Sequence, residues 1–236
     1  MCLSRQGIVV FYSEKQPVFV VRTLSLLWGN TMQKLIVCFC FLSLCTVFSP
    51  FTTFAGSVAG FPEVRGPLLK KISYTDTLGT HTVILTQTEV FSTTPNSSDP
   101  DFICGNQEIN AYGYLSSMEN AKPSLSWRMH DLVHDCEASA SCEFAGVSPQ
   151  VTDLDGNGVS EVWLVYYIGC RGDVSPIGMK ILMYENGKKY AMRGETFVHA
   201  DGMDLGGRYK ADEAFASSAP VFRQYADQLW QKWKNQ

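Results

Sequence analysis

In several runs between residues 80 and 193, apolar side chains recur at every second position. After residue 219 they recur every three or four. The first spacing is that of strands with one face inward, and the second is that of a helix with an apolar stripe. Residues 80–88 (Thr-His-Thr-Val-Ile-Leu-Thr-Gln-Thr) alternate in part and are rich in β-branched side chains, so they read as a strand. Residues 109–116 place Tyr112 and Tyr114 on one face of a second. In residues 124–133, Trp127, Met129, Asp131 and Val133 share a face. Residues 162–168 are apolar at almost every position, the mark of a central strand. Residues 179–184 and 189–193 flank Glu185-Asn186-Gly187-Lys188, and Asn-Gly between two extended runs predicts a hairpin. Residues 96–101 read as a loop, and residues 194–210, with four glycines, as irregular chain.

The C-terminal period belongs to an amphipathic helix starting near Ala219. Its stripe is Phe222, Ala226, Leu229 and Trp233, widened by Tyr225 and Trp230. Ser218 is the expected cap, with Pro220 in the first turn. No internal repeat is present, which excludes a propeller. The expected fold class is α+β: a mainly antiparallel β-sheet with the C-terminal helix packed on it, in a single domain over residues 60–236. Trp127, Trp163, Trp230 and Trp233 are expected in or against its core rather than on a ligand-stacking face.

The N-terminal part changes the compartment. Residues 1–31 show no clean pattern and read as a spurious or disordered extension. Residues 32–59 read as a signal peptide: Met-Gln-Lys, an apolar stretch from Leu35 to Phe48, then small residues with Ala55 and Ala59 as cleavage points. The apolar stretch is too short for a transmembrane span. Leu42-Ser43-Leu44-Cys45 weakly resembles a lipoprotein box, but Leu44 stands where that box takes a small residue. The expected location is therefore the periplasm or the cell surface. Of eight cysteines, Cys104, Cys136, Cys142 and Cys170 follow the signal. In an oxidising compartment they are disulfide candidates with three possible pairings. One of them joins Cys136 to Cys142 in a short loop and Cys104 to Cys170 as a long staple. The formal net charge is −4. With no basic stripe visible along the chain, nucleic acid is not an expected partner.

One stretch carries specific chemistry. Residues 153–161 read Asp-Leu-Asp-Gly-Asn-Gly-Val-Ser-Glu. Oxygen-bearing residues at the first, third, fifth and ninth positions, with glycine at the sixth, form the spacing of an EF-hand-like calcium loop. Asp153, Asp155 and Asn157 supply side-chain oxygens, Val159 its carbonyl, and Glu161 closes the set. Gly156 and Gly158 let the backbone curl without steric penalty. The twelfth position is Leu164 rather than a glutamate, and a strand rather than a helix follows. The loop therefore resembles those between strands in integrin-type propeller blades, a resemblance that gives Glu161 the closing role.

Other clusters are weaker. His130, Asp131, His134 and Asp135 hold two zinc-type ligands on one strand face but no third. Glu108, Glu119, Glu143, Glu161 and Glu195 include no pair with a defined separation, and no nucleophile elbow accompanies His81 or His199. Arg171-Gly172-Asp173 reads as a turn rather than an adhesion motif.

Residues 151–168, followed by Cys170-Arg171-Gly172-Asp173-Val174-Ser175-Pro176, Met179-Lys180 and Met183-Tyr184-Glu185, are similar to a family of small exported, essentially uncharacterised proteins of Bacteroidetes. Trp127 and Cys136 also fit. The resemblance covers roughly residues 125–195, and some of those proteins carry a surface-polysaccharide biosynthesis label. It implies an exported bacterial protein and supplies no catalytic residues. The expected function is a calcium-binding structural or interaction domain of the envelope, whose partner is an envelope protein or a glycan. The alternative is an envelope enzyme acting on a surface polysaccharide or another glycan, which would need an open cleft with two carboxylates away from the loop.

Overall fold

The computed structural model describes residues 58–93, 104–117, 122–146 and 148–235. Most of the expected signal peptide, the extension before it and the expected loop at 96–101 lie outside the described residues. Among the described residues, no helix is long and apolar enough to cross a membrane.

Two antiparallel sheets pack face to face, and two helices cover the back of the second. The first sheet comprises β1 (Leu68–Asp76), β2 (Gly79–Gln87), β3 (Phe91–Thr93), β4 (Cys104–Ser116) and β5 (Ser124–Cys136). In it β4 is central, with β2 and β3 in succession along one edge and β5 along the other. The second sheet holds β6 (Ser139–Phe144), β7 (Gln150–Thr152), β8 (Glu161–Arg171), β9 (Gly178–Glu185) and β10 (Lys188–Glu195). A separate hairpin of β11 (Phe197–Ala200) and β12 (Met203–Gly206) follows. Then β13 (Tyr209–Ala211) returns to the edge of β10. The helices are α1 (Glu213–Ala216) and α2 (Pro220–Trp233).

The continuous apolar run of β8 follows from this layering, because the strand is buried on both faces. Val162, Leu164 and Tyr166 meet Val83, Leu85, Ile109, Met129 and Val133 of the first sheet. Trp163, Val165 and Tyr167 meet Phe215, Phe222, Ala226, Leu229 and Trp230 of the helices. In β5, Trp127, Met129, Asp131 and Val133 turn inward as the alternation requires, while Arg128, His130, Leu132 and His134 face out. The β9–β10 turn has positive φ at Asn186 and Gly187, the pair that the Asn-Gly sequence predicts. The α+β expectation, mainly β with the helix on the sheet, holds. Trp163 and Trp230 are core residues, 1% and 0% exposed, and Trp127 stacks on Tyr184 at 4.1 Å.

Two local expectations are corrected, and one open choice is settled. The glycine-containing stretch after residue 194 is not irregular. It forms β11–β12 around Asp201-Gly202, both at positive φ, and every residue of β12 is exposed, so no apolar alternation marks it. Ser218 does not cap α2, because its hydroxyl donates to the Phe215 carbonyl at 2.8 Å. Ala219 holds the cap position without a side-chain bond, and Pro220 opens the helix. Of the cysteine pairings that the sequence leaves open, the structure holds one that joins Cys136 to Cys170. Cys136 at the end of β5 bonds Cys170 in β8, with Cα atoms 5.4 Å apart, so the bridge ties one sheet to the other. Cys104 and Cys142 are buried outside that bridge. The Cys142 thiol faces the Ile109 and Val133 backbone, and burial pushes its pKa up to about 12. Cys104 lies five residues from Ile109 along β4, roughly 17 Å, beyond bridging distance of that thiol.

The bridge closes a separation of 34 residues. Replacing Cys136 and Cys170 together by serine should lower unfolding stability by about 4 kcal/mol in denaturant titration. Mass mapping of the oxidised protein should find the Cys136–Cys170 peptide and leave Cys142 unalkylated until the protein is denatured. A Cys136–Cys142 peptide would contradict this topology.

Candidate metal centre

The acidic loop is closed by β-pairing. Thr152 of β7 pairs with Glu161 of β8, so residues 153–160 loop out between two paired residues. The loop is held by its own side chains. Asp153 Oδ2 accepts from Gly158 N at 3.1 Å, Asp155 Oδ1 from Asn157 N at 3.1 Å, and Asn157 Oδ1 from Val159 N at 2.7 Å. Gly158, at φ +80°, turns its carbonyl onto Thr77 of the β1–β2 turn, which donates from its amide at 3.0 Å and its hydroxyl at 2.7 Å.

Glu161 lies fully buried beneath the loop. Its carboxylate accepts from Thr152 Oγ1 at 2.6 Å and from Leu154 N at 3.1 Å. Thr152 Oγ1 in turn accepts from Trp163 Nε1 at 2.8 Å. Oxygens of Asp153, Asp155 and Glu161 lie within 4.8 Å of one another. Among the described residues this is the one group of three His, Cys, Asp or Glu side chains so placed. No Lys, Arg or His among the described residues forms an ion pair with it. Burial raises the Glu161 pKa, the bonds from Thr152 and Leu154 lower it, and Asp155 and Glu185 raise it again; the net shift is upward. The structure thus brings Asp153, Asp155 and Glu161 together. Asn157 sits beside them, but its Nδ2 bonds Asp155 Oδ2 at 3.0 Å and Glu185 Oε1 at 2.9 Å.

Two acids of this region escaped the sequence reading. Glu185 is the cross-strand partner of Glu161 on β9 and adds a fourth carboxylate. Antiparallel pairing around the Asp173 turn is the signal that places it there. The second is Asp76 at the end of β1, its side chain 3% exposed. Its carboxylate accepts from Leu78 N at 2.8 Å, His81 Nε2 at 2.8 Å and Ser160 N at 3.0 Å, the last a direct bond from the loop to the first sheet. Burial acts to raise the Asp76 pKa, but the bonds from Ser160, Leu78 and His81 hold it below the ordinary 3.8.

The remaining candidates separate. His130 and His134 lie on the outer face of β5, where they pair with Glu108 at 3.2 Å and Asp135 at 2.8 Å. Asp131 points inward to Lys180 and Tyr166, so no zinc set forms. Arg171 and Asp173 stabilise their own turn through Ser175. Away from the loop, a cleft of about 670 Å³ opens on the outer face of the first sheet. Glu63 and Glu108 line it together with Arg65 and Arg128. No family model, curated protein or solved structure matches this chain.

The two perturbed carboxylates act with opposite sign on stability. Glu161, with its folded pKa raised, destabilises the metal-free fold while ionised and relieves it as pH falls through that raised value. Asp76, with its folded pKa lowered, stabilises the fold above 3.8, and that contribution is lost as pH falls through its folded value. Thermal melts of metal-free protein should therefore show a stability maximum on the mildly acid side. Glu161→Gln should remove the gain on acidification. Asp76→Asn should lower stability by about 2 kcal/mol at neutral pH, because two backbone donors lose a charged acceptor, and should flatten the loss in stronger acid.

Proposed function

We propose that residues 153–161 bind calcium and that the bound ion fixes the junction between the two sheets, in an exported domain serving structure or interaction in the bacterial envelope. One observation carries this reading: a fully buried carboxylate, Glu161, shares a small space with Asp153 and Asp155 and with no side-chain cation among the described residues. Clustered carboxylates repel, and a divalent cation removes the repulsion. The donors are all oxygen, which suits a hard cation, and their number suits calcium better than a smaller ion needing strict octahedral geometry. Asp153, Asp155, Asn157 and Glu161 would hold the ion by side-chain oxygens and Val159 by its carbonyl. The disulfide supports an oxidising compartment. Ser160 and Gly158 bond the β1–β2 turn, so ordering this loop orders the sheet contact as well.

Calcium should bind the oxidised, metal-free protein saturably in calorimetry and raise its melting temperature by about 5 °C at millimolar excess. Magnesium should do less. Asp153→Asn combined with Glu161→Gln should abolish both effects without unfolding the protein. Absence of binding up to several millimolar calcium would reduce the loop to a turn held by its own side chains.

A glycan-acting envelope enzyme is the second reading, favoured by the open cleft that carries Glu63 and Glu108. It predicts release of reducing ends from a bacterial surface polysaccharide, lost in Glu108→Gln at unchanged melting temperature.

A further inference from the structure

The sequence shows no basic stripe because its cations lie on different strands. Pairing brings them into line: Lys180 of β9 stands opposite Arg193 of β10, and Arg193 stands opposite Lys210 of β13. Residues directly opposite in a sheet point to the same face. Tyr190 and Met192 pack under the helices, so Arg193, the next residue, faces the first sheet. The first sheet does not reach that far. Its edge strand β5 ends over β9, where Trp127 stacks on Tyr184 and Asp131 bonds Lys180. One and two strands further out, Arg193 and Lys210 are exposed on an uncovered ledge. The ledge borders an open depression of about 450 Å³ lined by Arg193, Gly194, Glu195, Arg208, Tyr209 and Lys210.

Three cations and one carboxylate line this depression. Among the described residues, none of Arg193, Arg208 and Lys210 forms an ion pair. Like charges directly opposite each other across strands destabilise a sheet. Asp131 neutralises the Lys180 end of the row, whereas at the Arg193–Lys210 end Glu195 is the one carboxylate lining the depression with three cations. We propose that Arg193, Arg208 and Lys210 form a binding site for a doubly charged phosphate-type oxyanion. Guanidinium groups match such oxygens in paired hydrogen bonds, and the ammonium adds a point charge. Tyr209 turns to the other face, where its ring packs on Trp230 and its hydroxyl donates to Asp227, so it does not fill the space beside the cations.

The neighbouring Lys189 responds to this field. Burial, then the Arg193 and Lys180 charges, holds its ammonium below the ordinary lysine range, with Asp131 and Asp212 opposing. Asp212 is occupied elsewhere: its carboxylate accepts from Ala191 N and Phe215 N at 3.0 Å each.

The test titrates inorganic phosphate, and separately vesicles of phosphatidylcholine with and without phosphatidic acid, into the oxidised full chain at low ionic strength. Saturable phosphate binding should weaken about tenfold or more in Arg193→Gln combined with Lys210→Gln. It should be unchanged in Arg223→Gln combined with Lys232→Gln, which removes the same charge from α2. Binding only to phosphatidic acid vesicles, with the same dependence on Arg193 and Lys210, would sustain the site and name a headgroup as its source. No binding to either probe, or equal weakening in both double variants, would overturn the proposal. Amide shifts of the unaltered protein give a second readout: movement at Gly194 and Tyr209 sustains the site, and movement confined elsewhere removes it.

Discussion

The burial of β8 on both faces is the constraint on which the rest of this fold depends. A strand flanked by the first sheet on one side and the helices on the other leaves no room for a polar side chain along its middle, and residues 162–168 comply. Its ends must leave the core, and both are tied to the opposite sheet. Ser160, just before the strand, bonds Asp76, and Cys170, one residue from its end, bonds Cys136. One tether is electrostatic and the other covalent. They differ in what releases them: acid acts on the first and reductant on the second.

How much of this was legible follows from where each signal is stored. Alternation in β2, β4 and β5, the Asn186-Gly187 turn and the stripe of α2 are local, and all were readable. The β11–β12 hairpin has no buried face, so its strands carry no period. It is made by Asp201-Gly202, a turn signal hidden among other glycines. The cysteine pairing depends on which strands face each other across the core, which no spacing encodes. Ser218 has the residue type of a cap, but its hydroxyl donates to the carbonyl of Phe215 instead of accepting from the amides of α2.

The acidic loop and the cationic row show the same contrast. Asp153, Asp155 and Glu161 are neighbours in the chain and were visible as a motif. Glu185 and Asp76 complete their surroundings from other strands and were not. Lys180, Arg193 and Lys210 are separated in sequence and meet only across β9, β10 and β13. Along the chain they are diluted into a net negative total, and across the sheet they form a local excess of positive charge.

The two charged regions act separately, and the geometry says why. Glu161 and Glu185 are cross-strand partners at one end of the second sheet, and they share the face that carries Trp163 and Met183 toward the helices. Lys180 lies five residues from Glu185 along β9, roughly 17 Å away, and points to the opposite face. That distance exceeds the Debye length of about 8 Å at physiological salt, and Arg193 is exposed to that salt. A cation at the loop therefore changes the field at Arg193 very little. What the regions share is mechanical: both are positioned by β9, whose register is set by β8. A lesion in the core of β8 would disturb both, whereas neutralising either charged group leaves the other in place.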